Sequence, residues 1–305
     1  MTRHALNGVR GSEPLGFMAA LGLLKIVSAS PGGEGAKLGF EPGADHPAWL
    51  DCATEIDPPS IVANDARAAG GAQPWKLEYG GGDAGGKRVA DLKPPPAAFR
   101  TFLAAAIDRW LEGDGAAAEY AAAYGTDVAK DGKGNTKPTA LHFTAGQQQF
   151  LATVDQVREM VTEDWSRRAL MEPGQARQGA NLRWGLDADR NRALLGFNPS
   201  DETPPVTAPL DWLAFRALPL FVCVPIGDRI MTACVTGRRQ DDFRFTWPLW
   251  STGADLETVR SLLTLPWRDP DRYRPPGDVF SVLSSAILRS AQGYGCFAPP
   301  TVFTR

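Results

Sequence analysis

The spacing of hydrophobic and polar positions changes from segment to segment along this 305-residue chain, and the longest apolar run lies near its start. From Leu15 to Val27 every position except Lys25 is apolar or glycine. Ser12 and Glu13 precede Pro14, and proline suits a first helical turn because no amide partner is needed there. The pattern predicts a helix over 14–28 with no polar face, buried on most sides. At roughly 13 apolar residues against the roughly 20 that a bilayer requires, it is too short to span a membrane. Gly16 and Gly22 each cost about 1 kcal/mol of helix propensity, which marks places where neighbouring chain packs closely.

Beyond it the period alternates between helical and extended. Short strands are predicted at Lys37–Phe40, Trp75–Tyr79 and Leu141–Phe143. Residues 41–71, broken by four prolines, suggest only short, local helix. Helical spacing recurs over 97–111 (Phe99, Phe102, Leu103, Ile107, Trp110, Leu111) and over the alanine-rich 116–124. Residues 125–139 hold almost no apolar side chain and predict an exposed, mobile loop. Thr144 is the expected cap of a long helix reaching Asp164, with Phe150, Leu151, Val154, Val157, Met160 and Val161 on one face. Residues 165–181 read as basic and irregular. In the last third, strands are expected at Leu182–Leu186, Arg192–Phe197 and Phe243–Leu249. A hairpin joins Leu220–Pro225 to Arg229–Val235. Helices are expected at 208–218 and 255–263, while 279–288 fits either state. The sum is an α+β fold, antiparallel sheets with packed helices and long Gly/Pro-rich loops. Two domains are expected, 1–143 and 144–305.

Composition narrows the class. A formal charge of −3 does not announce a nucleic-acid binder, but charge is unevenly placed. Residues 38–66 carry six acids (Glu41, Asp45, Asp51, Glu55, Asp57, Asp65) and no Lys or Arg. Residues 165–192 carry six arginines. The four cysteines form no C-x-x-C pair, which argues against structural zinc. With no visible signal peptide, a reducing cytoplasm is the expected compartment.

The chemistry of an enzyme is hard to find. Only His4, His46 and His142 exist, none in a nucleophile motif. Asp187 with Asp189, and Asp241 with Asp242, are the nearest metal candidates, but arginines stand beside them. Gly81–Lys87 has the spacing of a P-loop, yet Arg88 replaces the magnesium-binding hydroxyl and the following VADLKPPP cannot form the receiving helix. No enzyme, cofactor or metal is expected. What remains is basic loops: Lys76, Lys87, Arg88 and Lys93; Lys130, Lys133 and Lys137; Arg167, Arg168, Arg177, Arg183, Arg190 and Arg192; and Arg238, Arg239 and Arg244. Lys, Arg and Asn on glycine-permitted loops are what phosphate contact and base-edge reading require.

Two stretches carry a family resemblance. GVRGSEPLGFMAALGLLKIV is similar to the N-terminal "PLG-aromatic-x-AALG-x-L" signature of proteins from type I CRISPR operons, notably type I-U, also called I-G. FTAGQQQFL, LRWGLDADRNRALLGFNPSDE and WPLW resemble the "LRWDP-x-x-DR-x-x-A…PS" pattern and tryptophan-rich tail of the same group. The chain departs at Gly185 and Leu186, where that pattern has Asp–Pro. It most resembles the Cascade large subunit of the subtype, in compact form.

The resemblance implies a non-catalytic subunit at the 5′ end of the CRISPR RNA (crRNA), beside the backbone and crRNA-end subunits. Its implied work is to read the motif flanking the target (the PAM) in double-stranded DNA, to help open the duplex and to recruit the helicase–nuclease, with no membrane involved. The acidic segment 38–66 would face neighbouring subunits. Within that reading Lys130, Lys133, Asn135 and Lys137 are the expected duplex-contacting group. Arg167, Arg168, Arg177, Gln178, Asn181 and Arg183 are expected to contact phosphate or read bases. The alternatives are an accessory or scaffold subunit of the same operon that does not read the PAM, and a metal-dependent nuclease using Asp187, Asp189, Asp241 or Asp242.

Overall fold

The structure, a computed structural model, describes residues 1–69, 74, 91–145, 148–186, 205–237, 242–267, 276, 278–289 and 293–304. The strands expected at 75–79 and 192–197 and the near-P-loop Gly81–Lys87 lie outside the described residues. So do Lys76, Lys87, Arg88, Asp187, Asp189, Arg190, Arg192, Arg238, Arg239 and Asp241.

The chain opens with strand β1 (Thr2–Arg10), then helix α1 (Pro14–Ser28) and strands β2 (Lys37–Phe40) and β3 (Pro47–Cys52). These strands form an antiparallel sheet in the order β1-β3-β2. Helices α2 (Pro58–Ala68), α3 (Pro96–Leu111) and α4 (Ala116–Tyr124) follow, then a hairpin of β4 (Gly125–Lys130) and β5 (Thr136–Pro138). After α5 (Phe150–Met160) and α6 (Glu163–Met171), β6 (Arg177–Gln178) pairs with β7 (Pro205–Val206). Helix α7 (Ala208–Ala217) runs into a 3-10 turn at Leu218–Leu220. The hairpin β8 (Cys223–Ile226) and β9 (Arg229–Thr232) turns at Gly227, where φ is +61°. The remainder is β10 (Val235–Thr236), β11 (Arg244–Trp250), α8 (Leu256–Leu263), β12 (Val279–Arg289), β13 (Gly295–Phe297) and β14 (Thr301–Thr304). They make a five-stranded antiparallel sheet, ordered β10-β11-β12-β13 with β14 on β12. The fold is α+β with antiparallel pairing throughout these sheets. Among the described residues no helix is long and apolar enough to cross a membrane.

Helix α1 organises the packing. Twelve of its fifteen residues are buried, as its unbroken apolar run requires. Phe17 meets Phe40 of the first sheet and Phe245, Trp247 and Trp250 of the second, with ring centroids 5.9–6.3 Å apart. The indoles are satisfied as buried donors must be. Trp247 Nε1 donates to the Gly11 carbonyl at 2.9 Å and Trp250 Nε1 to the Leu38 carbonyl at 2.7 Å. Both glycines sit where other backbone approaches closely. A Cβ at Gly16 would stand 2.1 Å from the Arg10 carbonyl oxygen, and one at Gly22 would stand 1.8 Å from that of Leu213. One hydrophobic core runs from Leu6 to Phe297, with α1 packed on α7, so residues either side of position 143 share it.

Several local readings change. Residues 125–139 are a paired hairpin rather than a mobile loop. Ala129 inserts into a small cluster with Cys223 and Ile230, and Thr126 Oγ1 accepts from the amides of Val128 and Ala129 to stabilise a bulge. The long helix from Thr144 is two helices: α5 starts at Phe150, and Val161 turns extended before Thr162 caps α6 by accepting from the Trp165 amide. The stretch after Trp165, expected to be irregular, therefore begins as helix. Strands β1 and β3 were not expected. Leu141–Phe143 joins no strand. Trp184 Nε1 takes the Leu141 carbonyl, Arg289 takes that of His142 and the Gly295 amide takes that of Phe143. Leu182–Leu186 makes only one bridge, Leu186 to Phe297, because Arg183 turns to φ +66°.

Candidate nucleic-acid interface

The ten candidate residues fall on two sets of elements. Lys130, Lys133, Asn135 and Lys137 occupy the β4–β5 hairpin. Its turn is built by Asp131, whose Oδ1 accepts from the amides of Lys133 (2.8 Å) and Asn135 (2.9 Å), an Asx-type arrangement. Gly134 completes it at φ +82°. The turn geometry leaves Lys130 and Lys133 exposed. The Thr136 amide donates to the Pro94 carbonyl at 2.8 Å, which ties the hairpin to the segment carrying Lys93.

That junction opens a cavity of about 590 Å³ lined by Lys93, Lys130, Lys137 and Arg289. Arg289 ends β12 and is fixed from behind: Nη1 donates to the His142 carbonyl at 2.7 Å and Nη2 to the Ala140 carbonyl at 2.8 Å. Burial pulls its pKa down to about 10, so it stays cationic at neutral pH. Among the described residues none of these four cations is ion-paired with a carboxylate. Asp131, which also lines the cavity, is engaged by its own turn amides. His142 lines the floor. Burial first, then the charges of Lys93 and Arg289, hold it below the ordinary imidazole range, against the opposing pull of Asp91. A neutral His142 donates through Nε2 to Asp91 Oδ1 at 2.7 Å. Burial pushes the Asp91 carboxyl up, but this contact and the Leu92 and Phe150 amides outweigh it and keep the group low.

The arginine-rich group is arranged differently. Arg167 pairs with Asp57 at 3.1 Å and Glu163 at 3.4 Å, Arg168 pairs with Asp164, and Arg177 lies 4.6 Å from the Trp165 ring centroid. Arg167, Arg168 and Arg177 are thus held on or beside α6, which packs on α2 and β1, and none of them lines the cavity. Gln178 is exposed on β6. Asn181 Oδ1 accepts from the Arg183 amide at 2.9 Å, and Arg183 stacks 4.7 Å from the Tyr294 centroid with Nε 3.4 Å from the Gly295 carbonyl. Gly295 pairs with Arg289 across β12–β13, so Arg183 contacts the strand residue paired with a cavity cation.

The acidic segment 38–66 is largely consumed internally. Glu41 and Asp51 face Arg3, Asp45 faces Arg10, Asp57 faces Arg167 and Asp65 faces Arg216. Among the described residues no three His, Cys, Asp or Glu gather at metal-ligand distance. Sequence reasoning named Lys93 with a different loop and missed Arg289 as a site residue. No local signal marks Arg289, since the carbonyls that orient it lie 147 and 149 residues away. No protein-family model and no curated protein matches this chain.

Proposed function

We propose that this chain is the non-catalytic large subunit of an RNA-guided type I CRISPR surveillance complex, of the I-U/I-G kind, working in the cytoplasm. In this role it contacts target double-stranded DNA beside the crRNA-paired region, reads the PAM, helps the duplex open and recruits the helicase–nuclease. Besides the sequence resemblance, one observation supports the reading: Lys130 and Lys137 converge with Lys93 and Arg289 on one cavity without ion-paired carboxylates among the described residues. Cations without a carboxylate partner keep their charge for phosphate, where binding begins. Arg167 and Arg168, already paired, have less to offer.

A second reading, a scaffold subunit that does not read the PAM, draws on the β8–β9 hairpin. There Val224, Ile226 and Met231 are exposed beside Val222. Gel-shift assays separate the two. The assembled complex is tested on targets with correct and scrambled flanking motifs, with Lys130, Lys133 and Lys137 intact or changed to alanine. Loss of discrimination in the variant supports PAM reading. Unchanged discrimination removes these lysines from that role, and an absence of discrimination even in the unsubstituted complex favours the scaffold.

A further inference from the structure

We propose that the cavity between Lys93, Lys130, Lys137 and Arg289 is a binding site for the phosphate of a nucleotide, free or belonging to a nucleic-acid strand. Only the strand source rests on the function proposed above; the phosphate chemistry rests on the cavity itself. Four cations face one space, and the lining carboxylate, Asp131, has its Oδ1 committed to its own turn amides. Arg289 is the one of the four whose charge is largely out of water, and it has no carboxylate partner among the described residues; an entering phosphate offsets that cost. Arg289 is already immobilised by the carbonyls of Ala140 and His142, so little side-chain freedom is lost when it meets an anion. The three lysines reach the space from two segments, 93 and 130–137, that the Thr136–Pro94 hydrogen bond clips together. They can therefore close on a phosphate from more than one side.

Size and lining define the ligand further. About 590 Å³ admits a nucleotide but not a duplex, so a single phosphate with its sugar and base is the natural occupant. Ile230 and Phe243 give the cavity an apolar wall beside its cations, suited to the base rather than to the phosphate. His142 is held neutral and bonded to Asp91, so the floor is polar and the Asp91 carboxylate lies behind it, not among the lining groups.

Isothermal titration of the full chain tests the site with four probes: inorganic phosphate, adenosine monophosphate, and one tetranucleotide with either a 5′-phosphate or a 5′-hydroxyl. Phosphate-bearing probes are expected to bind, and Lys130→Gln with Lys137→Gln is expected to weaken them at least tenfold. Lys130 is exposed and Lys137 half-buried, and neither is ion-paired with a carboxylate among the described residues, so the double variant is expected to keep its fold; circular dichroism checks this. Arg289→Ala is a second variant, read only if its melting curve remains cooperative. Tighter binding of the 5′-phosphorylated tetranucleotide than of adenosine monophosphate assigns the site to a strand end. Equal binding of both tetranucleotides assigns it to the strand backbone, and preference for the mononucleotide assigns it to a free nucleotide. No binding of any probe, or binding indifferent to the lysine changes, overturns the site. A chain that binds phosphate inside a complex blind to the flanking motif keeps the site and loses the function proposed above. A motif-reading complex whose free chain binds no probe does the reverse.

Discussion

Gly22 of α1 lies flush against the backbone of Leu213 in α7, so that a Cβ added at Gly22 would stand 1.8 Å from the Leu213 carbonyl oxygen and 2.6 Å from its carbon. Neither atom belongs to a side chain that can turn away. The two helices at the centre of the core touch through backbone, and glycine is the residue that permits it.

Gly22→Ala is therefore expected to force α1 and α7 apart and to cost about 3 kcal/mol or more, since overpacking here cannot be relieved by a rotamer change. Gly185→Ala, at a position with open space and an ordinary φ, serves as the control and should stay within about 0.5 kcal/mol. Urea denaturation of both variants makes the comparison.

Glu119 holds two cations from different helices. Lys25 of α1 and Arg260 of α8 both donate to its carboxylate, the latter at 2.9 Å. Burial lowers the pKa of Lys25, and Glu119 works against that; the Glu119 carboxyl is pushed up by burial but kept low by Lys25 and Arg260. Glu119→Gln leaves Lys25 partly buried without a countercharge and is expected to cost about 2 kcal/mol, discounted because Glu119 is one-third exposed. Adding Lys25→Met should recover part of that loss. Failure of the second change to recover any stability would show that the ion pair is not the cause.

Asp211, in the buried face of α7, has a single described polar partner, the Leu182 amide at 3.3 Å. Burial raises its pKa from 3.8 to about 7. The folded state thus holds a proton that the unfolded state has released, and the stabilising effect is full below pH 3.8 and lost as pH rises to about 7. Asp211→Asn keeps the acceptor and removes the titration. The variant is expected to gain on the natural protein as pH increases from 5 to 8, by up to about 3 kcal/mol. Parallel melting curves at all pH values would refute this.

The legibility of these features in sequence followed the locality of their causes. Helix α1 was legible because its apolar run and Pro14 are local, and α3, α4 and α7 followed from spacing alone. The β4–β5 hairpin was not, because its strands hold little apolar surface and its anchor, Ala129, finds Cys223 and Ile230 about a hundred residues later. Ile107, Trp110 and Leu111 share the helical spacing of Phe99 and Phe102, yet all three are exposed, since α3 packs inward through Phe99, Phe102 and Ala106. At the candidate site, Lys130 and Lys137 could be named as charge on a glycine-bearing loop. Arg289 became visible only when folding brought its strand end to residues 140–142.

Contact between the hairpin lysines and phosphate in the working complex is central to the proposed function. The most direct measurement is the salt dependence of target binding by the assembled, crRNA-loaded complex, with the natural chain and with Lys130→Gln/Lys137→Gln. Each phosphate contact contributes about 0.9 to the slope of log affinity against log salt concentration. The double variant is expected to bind more weakly with a slope shallower by about 2. An unchanged slope with unchanged affinity, in a complex that assembles normally, would contradict it.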